Sequence, residues 1–153
     1  MLTALQSKLT EQAFIKGMDP GYVEEIVECA ASATFDSGQF IVREGEAAGY
    51  FYIITRGKVA LEVDAPGRGA IVIDTLGEDE VLGWSWLFPP YRWHFDARAL
   101  ELTRAIAFNA ACLRGKCEQD PKLGYELVKR FSQVLMERLQ ATRLRLLDVY
   151  RVE

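Results

Sequence analysis

The chain has 153 residues, half of them hydrophobic and 26% charged, which is enough for one domain of ordinary size, too short for two, and far from the make-up of a disordered protein. Eighteen Lys and Arg against 22 Asp and Glu leave a net charge of -4. No global positive field exists to hold a nucleic-acid backbone or an anionic membrane, so neither is expected as a partner of this chain alone.

The N-terminal stretch Met1 to Leu9 lacks the charged region and apolar core of a signal peptide, and no apolar run approaches the ~20 residues of a membrane span. The cytoplasm is therefore the expected location. The first thirty residues read as helical. Leu2, Leu5 and Leu9 lie three to four apart, Asp19-Pro20-Gly21 makes a break, and Tyr22, Val23, Ile26, Val27 and Ala30 resume helical spacing. Asp19 is the expected cap and Pro20 fits the first turn, with Glu24 and Glu25 near the favourable end of the helix dipole.

From Phe35 to Phe108 the texture is β. Runs at Tyr50 to Ile54, Lys58 to Val63, Ala70 to Thr75 and Asp96 to Leu102 are rich in Val, Ile, Tyr and Phe and bounded by Gly or Pro. Gly57 marks one tight turn and Ala65-Pro66-Gly67-Arg68-Gly69 the next, which predicts two successive hairpins in a small antiparallel barrel or sandwich. The expected organisation is a single domain over 1–153, with N-terminal helices over 1–33, the β region over 34–109 and C-terminal helices over 110–153.

Asp120-Pro121 opens a last long helix with a cap and a first-turn proline, and Gly124 weakens only its start. Val128, Leu135, Leu139, Thr142, Leu146 and Val149 recur at intervals of seven, four, three, four and three, with Ser132 in the skipped place. That is a coiled-coil-like seam. It fits either packing on the chain's own β region or a homodimer. A second apolar flank of Leu127, Phe131, Val134 and Leu147 favours the homodimer, since one flank can face the β region and the other a second copy. Between Lys122 and Arg151 the seven basic and three acidic residues are spread around the helix and read as a solvated face.

The β region carries an ordered set of marks: Phe35, Gly38, Ile41, Glu44-Gly45-Glu46, Tyr52-Ile53-Ile54, Gly57, Val59, Leu76-Gly77, Leu82-Gly83 and Arg98-Ala99-Leu100. In this order and at these intervals they resemble the cyclic-nucleotide-binding domain of the catabolite-activator and nitrogen-fixation-regulator (Crp/Fnr) type, from about Phe14 to Tyr150. The resemblance implies a mainly β fold with flanking α: a double-stranded, jelly-roll-like β-roll of about eight strands, N-terminal helices and a long C-terminal dimerisation helix. In bacterial regulators of this type a helix-turn-helix domain follows that helix. Here the sequence ends at Glu153, so DNA reading is not expected to transfer.

In that family the nucleotide sits between the roll and the long helix, and a short phosphate cassette supplies a glutamate to the ribose and, roughly ten residues later, an arginine to the cyclic phosphate. Leu82-Gly83 keeps the turn that opens the cassette, but Trp84 holds the glutamate's place. Counting back from Arg98-Ala99-Leu100, Trp93 holds the arginine's place. Removing one partner of a buried charge pair typically costs ~3 to 5 kcal/mol, which is two to three orders of magnitude in affinity. Cyclic AMP and cyclic GMP are therefore expected to bind weakly or not at all. A one-residue bulge that turns the neighbouring Arg92 inward is the alternative that would rescue them.

Six aromatic residues, including all three tryptophans, fall between Trp84 and Phe95, with Pro89-Pro90 stiffening the loop among them. Aromatic walls supply area and stacking but no charge, so the pocket is expected to take a planar or apolar ligand. The candidate ligand residues are Gly83, Trp84, Ser85, Trp86, Tyr91, Arg92, Trp93 and His94. The other reading is a self-filled pocket and a ligand-free dimeric interaction module. No enzymatic motif appears. Ser85 lies outside any Gly-x-Ser-x-Gly elbow, and Glu44 and Glu46 flank a turn glycine. The lone His94 makes no metal site, and no metal or other cofactor is expected. Cys29, Cys112 and Cys117 lack a framework spacing and are expected as reduced thiols, the last two near a turn at Gly115.

Overall fold

The computed structural model describes residues 3–150; the expectations placed on Leu2 and Arg151 lie outside them. Helix α1 (Ala4–Thr10) starts at Thr3, whose hydroxyl accepts from the Gln6 N–H while the Gln6 side chain accepts from the Thr3 N–H, a reciprocal cap. Helix α2 (Pro20–Val27) starts at Asp19, whose carboxylate accepts from the Gly21 N–H at 2.7 Å. It ends sooner than the spacing predicts: Ala30 is already in strand β1 (Ala30–Phe35), so β structure begins before position 34.

Among the described residues, eight antiparallel strands form two four-stranded sheets. One has the order β1, β8 (Thr103–Asn109), β3 (Tyr50–Arg56), β6 (Val81–Leu82). The other has the order β2 (Phe40–Val42), β7 (Asp96–Ala99), β4 (Val59–Ala65), β5 (Gly69–Leu76). This is the expected two-layered roll. Only one of the two predicted hairpins exists, that of β4 with β5. The Gly57 turn instead carries the chain from one sheet to the other, because β3 pairs with β6 and β8 while β4 pairs with β5 and β7. Gly57 has φ +107°, and a Cβ there would stand 2.6 Å from Thr103 Oγ1 and 2.8 Å from the Leu102 carbonyl oxygen. A corner this tight admits no side chain. The predicted run to Leu102 likewise breaks at Ala99, where β7 ends.

Helix α3 (Ala110–Gln119) contains Cys112, Gly115 and Cys117, so no turn lies at Gly115. Cys29 and Cys112 form a disulfide with Cα atoms 5.7 Å apart, which corrects the expectation of three reduced thiols. The cause is strand register. Antiparallel pairing sets Ala30 opposite Phe108, and the Asn109 N–H donates to the Cys29 carbonyl at 2.8 Å, so residues 83 apart in sequence meet at one end of the β1–β8 ladder. Cys117 is free, and burial pushes its thiol pKa up.

Helix α4 (Pro121–Tyr150) begins at Asp120, whose carboxylate accepts from the Leu123 N–H. Its thirty residues span about 45 Å. Leu123, Leu127 and Phe131 are buried. They plug the roll through an aromatic cluster in which Phe51 stacks on Phe108 (4.4 Å) and Trp86 (5.1 Å), while Phe131 meets Phe51 and Trp86 edge-on. Phe14 closes the far side of Phe131 at 4.7 Å. Such rings each bury ~150–250 Å² and dominate a core of this size. Beyond Arg138 every described residue of α4 is exposed, Leu147 among them. The second apolar flank therefore faces the roll only as far as Val134. No helix among the described residues is long and apolar enough to cross a membrane.

Candidate ligand site

Strand β6 ends at Leu82, and Gly83 follows with φ +101°. This conformation turns the chain so that Trp84 faces α4 while a short 3-10 turn, Ser85–Leu87, dives into the core. Between the roll and α4 lies a groove of about 640 Å³. Leu61, Ile73, Trp84 and Phe95 form its roll side, and Leu135, Leu139, Thr142, Leu146 and Val149 its helix side. Five of the six seam residues thus border the groove, and Val128 alone does not. The seam is still largely open: Leu139 is 51% and Leu146 55% exposed.

Of the eight residues expected around the ligand, only Trp84 lines this groove. Trp86 and Ser85 are buried, Trp86 against Phe51 and Phe131 in the core. Trp93, only 4% exposed, lays its indole against the Cα of Gly83 and fills the space where a side chain would project. Tyr91, with φ 57° after the cis Pro89-Pro90 bond, lies under the Arg114 guanidinium at 4.5 Å, and Arg114 also donates to the Trp86 carbonyl at 2.7 Å. Arg92 and His94 are exposed. The Arg92 guanidinium donates to the Gly45 carbonyl at 2.8 Å, and the segment is held by bonds from Ala48 N–H to the Tyr91 carbonyl and from Trp93 N–H to the Glu46 carbonyl. Arg92 and Trp93 thus take opposite faces, as alternation demands, and no bulge turns Arg92 inward. No group of three or more His, Cys, Asp or Glu among the described residues is placed to hold a metal ion.

The groove's polar groups come from elsewhere. Asp74 at its rim pairs with Arg145 at 2.8 Å, and Arg145 also donates to the Ile73 carbonyl. Arg138 reaches in from α4 with its guanidinium carbon 4.7 Å above the Trp84 ring and donates to the Val81 carbonyl. Burial pushes its pKa below the ordinary arginine range, though a guanidinium remains charged. The sequence reading missed both arginines by treating the helix's positive charges as solvated. The signal was present: Leu123, Leu127, Phe131, Val134, Arg138 and Arg145 continue one stripe at helical spacing, so the two arginines lie on the face that packs on the roll.

The family profile described as the cyclic nucleotide-binding domain matches residues 33–120, more than half of the chain. The chain belongs to the cyclic nucleotide-binding domain family. Among its relatives is the CRP-like cAMP-activated global transcriptional regulator of Mycobacterium tuberculosis, 24% identical over 141 residues, covering 92% of this chain and 61% of the regulator. This cyclic nucleotide-binding domain therefore spans about three-fifths of that relative's length. A solved putative cyclic nucleotide-binding protein from Geobacter metallireducens superposes with a TM-score of 0.80 at 22% identity, covering 91% of this chain and 99% of that one. A cyclic nucleotide-binding domain from Methylobacillus flagellatus superposes with 0.81 at 18% identity, covering 97% and 84%. At these identities the two structures establish the fold.

Proposed function

We propose that this cyclic nucleotide-binding domain is a non-catalytic, regulatory ligand sensor whose groove between roll and α4 takes a planar molecule other than cyclic AMP or cyclic GMP. The observation that carries this reading is the indole of Trp84, set in the groove at the cassette position where the family's glutamate is expected. The roll side of the groove otherwise offers Leu61, Ile73 and Phe95, and its one carboxylate, Asp74, is already paired with Arg145. A ribose finds no free carboxylate there. At the arginine's cassette position stands Trp93, packed in the core, with Arg92 bonded to Gly45 on the outside. The charge-assisted hydrogen bonds that hold a cyclic phosphate have no donor from the cassette side chains.

The exposed seam of α4 serves as the surface on which two copies pair, which gives a bound ligand something to report on: filling the groove alters how α4 leaves the roll and hence how two helices meet. A ligand can do this only by the difference in its affinity for the two helix arrangements. The test is titration calorimetry with cyclic AMP and cyclic GMP on the full chain. The expected result is no saturable heat below millimolar nucleotide. Sub-millimolar affinity for either would refute the reading of the cassette.

A further inference from the structure

Arg138 leaves the groove one acceptor short. Its Nη2 donates to the Val81 carbonyl, but its Nη1 is buried and has no hydrogen-bond partner among the described residues. The carboxylates that feel its charge are engaged elsewhere: Asp74 with Arg145, and Glu80 with the Gly77 N–H at 3.0 Å. A desolvated donor without an acceptor is destabilising, and more so when charged. Beneath it the Trp84 ring stacks on the guanidinium at 4.7 Å, and the groove beyond is bounded by Phe95, Leu135 and Leu139.

We infer that the groove selects an aromatic anion, a planar ring against the apolar wall that carries one carboxylate or sulfonate group accepting from Arg138 Nη1. This rests on the reading of the groove as a ligand site and names the chemistry of its occupant. Because Nη1 is closed to water, an anion reaches it only when the guanidinium turns on its ring or α4 shifts. Arg138 is also the last half-buried residue of α4 before the exposed stretch. Capture of the anion and displacement of the free part of the helix are therefore one event, which is how a pocket on the roll would be read at the seam.

The test is a fluorescence titration of the full chain with two probes that share a ring system, anilinonaphthalene sulfonate and the uncharged phenylnaphthylamine. The expected result is that the sulfonate binds roughly tenfold or more tightly than the neutral probe, the effect of one charge-assisted hydrogen bond. Arg138→Gln removes the charge and the guanidinium donors. It should abolish the preference and leave the neutral probe's affinity in place, while Arg143→Gln, at an exposed position on the same helix, should leave the preference intact. Equal affinity of the two probes for the unmodified protein, or a preference that survives Arg138→Gln, overturns the anion assignment alone. Failure of both probes to bind overturns the groove reading as well. The two-probe comparison on the unmodified protein decides the matter even if the variant fails to fold.

Discussion

Replacing Gly83 by alanine tests how the cassette is built, because two separable penalties meet there. The backbone sits at φ +101°, outside the narrow left-handed well, and an L-residue held in such a region costs of order 1–3 kcal/mol. The new Cβ would also lie 2.3 Å from Cη2 and 2.5 Å from Cζ3 of Trp93. That ring is only 4% exposed, with Phe95 at 5.9 Å, so it cannot swing clear without repacking, which costs about 1–3 kcal/mol more. Gly45 is the control. Its φ is +85°, yet a Cβ there meets nothing within 4 Å, so Gly45→Ala incurs the backbone penalty alone. Urea unfolding with an unchanged slope gives the differences. Gly83→Ala is expected to exceed Gly45→Ala by about 1–3 kcal/mol, and Trp93→Leu in the Gly83→Ala background should recover that excess as a coupling energy. Equal costs at the two glycines, or a Gly83→Ala cost indifferent to Trp93, would refute the claim that the indole occupies the turn.

Three further outcomes follow from the same structure. Charged residues at Leu139 and Leu146 should give monomers: four leucines from two copies, each about half exposed and so gaining about half of the 1.5–3 kcal/mol of full burial, amount to roughly two to four decades in dissociation constant, readable by sedimentation equilibrium, and an unchanged dimer would show that the seam does not mediate pairing. Replacing Cys29 and Cys112 by serine removes a crosslink between residues 83 apart, for which loop closure predicts a loss of about 4–5 kcal/mol; identical denaturation midpoints with and without reductant would contradict the disulfide. Burial and a hydrogen bond to Asp120 raise the Glu25 pKa, so its protonated form is the one the fold favours. Its contribution is present below the ordinary glutamate range and fades as pH rises through the raised value. Glu25→Gln should therefore raise the melting temperature at neutral pH and not at low pH, and the reverse ordering would sink this sign.

The roll was legible because turn glycines, caps and alternating strands are local signals. Asp19, Asp120 and the β4–β5 hairpin are written within a few residues of where they act. What escaped depends on partners far away in sequence. The Gly57 turn looks like a hairpin until one knows that β3 prefers β8, and Cys29 finds Cys112 only through the β1–β8 register. The cassette shows the same division. The presence of indoles at Trp84 and Trp93 is plain in the sequence, but their directions are not. One lines a groove and the other packs into the core, because Gly83 turns the chain just before Trp84 and Tyr91 adopts a left-handed backbone two residues before Trp93.

The proposed ligand-sensing role turns on which wall of the groove yields more easily. Trp86 is locked by Phe51 and Phe131, and Tyr91 by Arg114, which leaves the cassette bound to the core and to α3 at several points. Its displacement by a ligand would disrupt packed aromatic contacts, each pair worth about 0.5–1.5 kcal/mol beyond the buried area. On the other wall, α4 is pinned through Phe131 and then held by two arginines, Arg138 and Arg145, that bond to backbone carbonyls of Val81 and Ile73. Exchanging those bonds for a ligand's acceptor loses less than breaking the aromatic core. The softer wall is therefore the helix, and on the proposed reading of the groove as a ligand site any movement belongs to its last three turns rather than to the cassette.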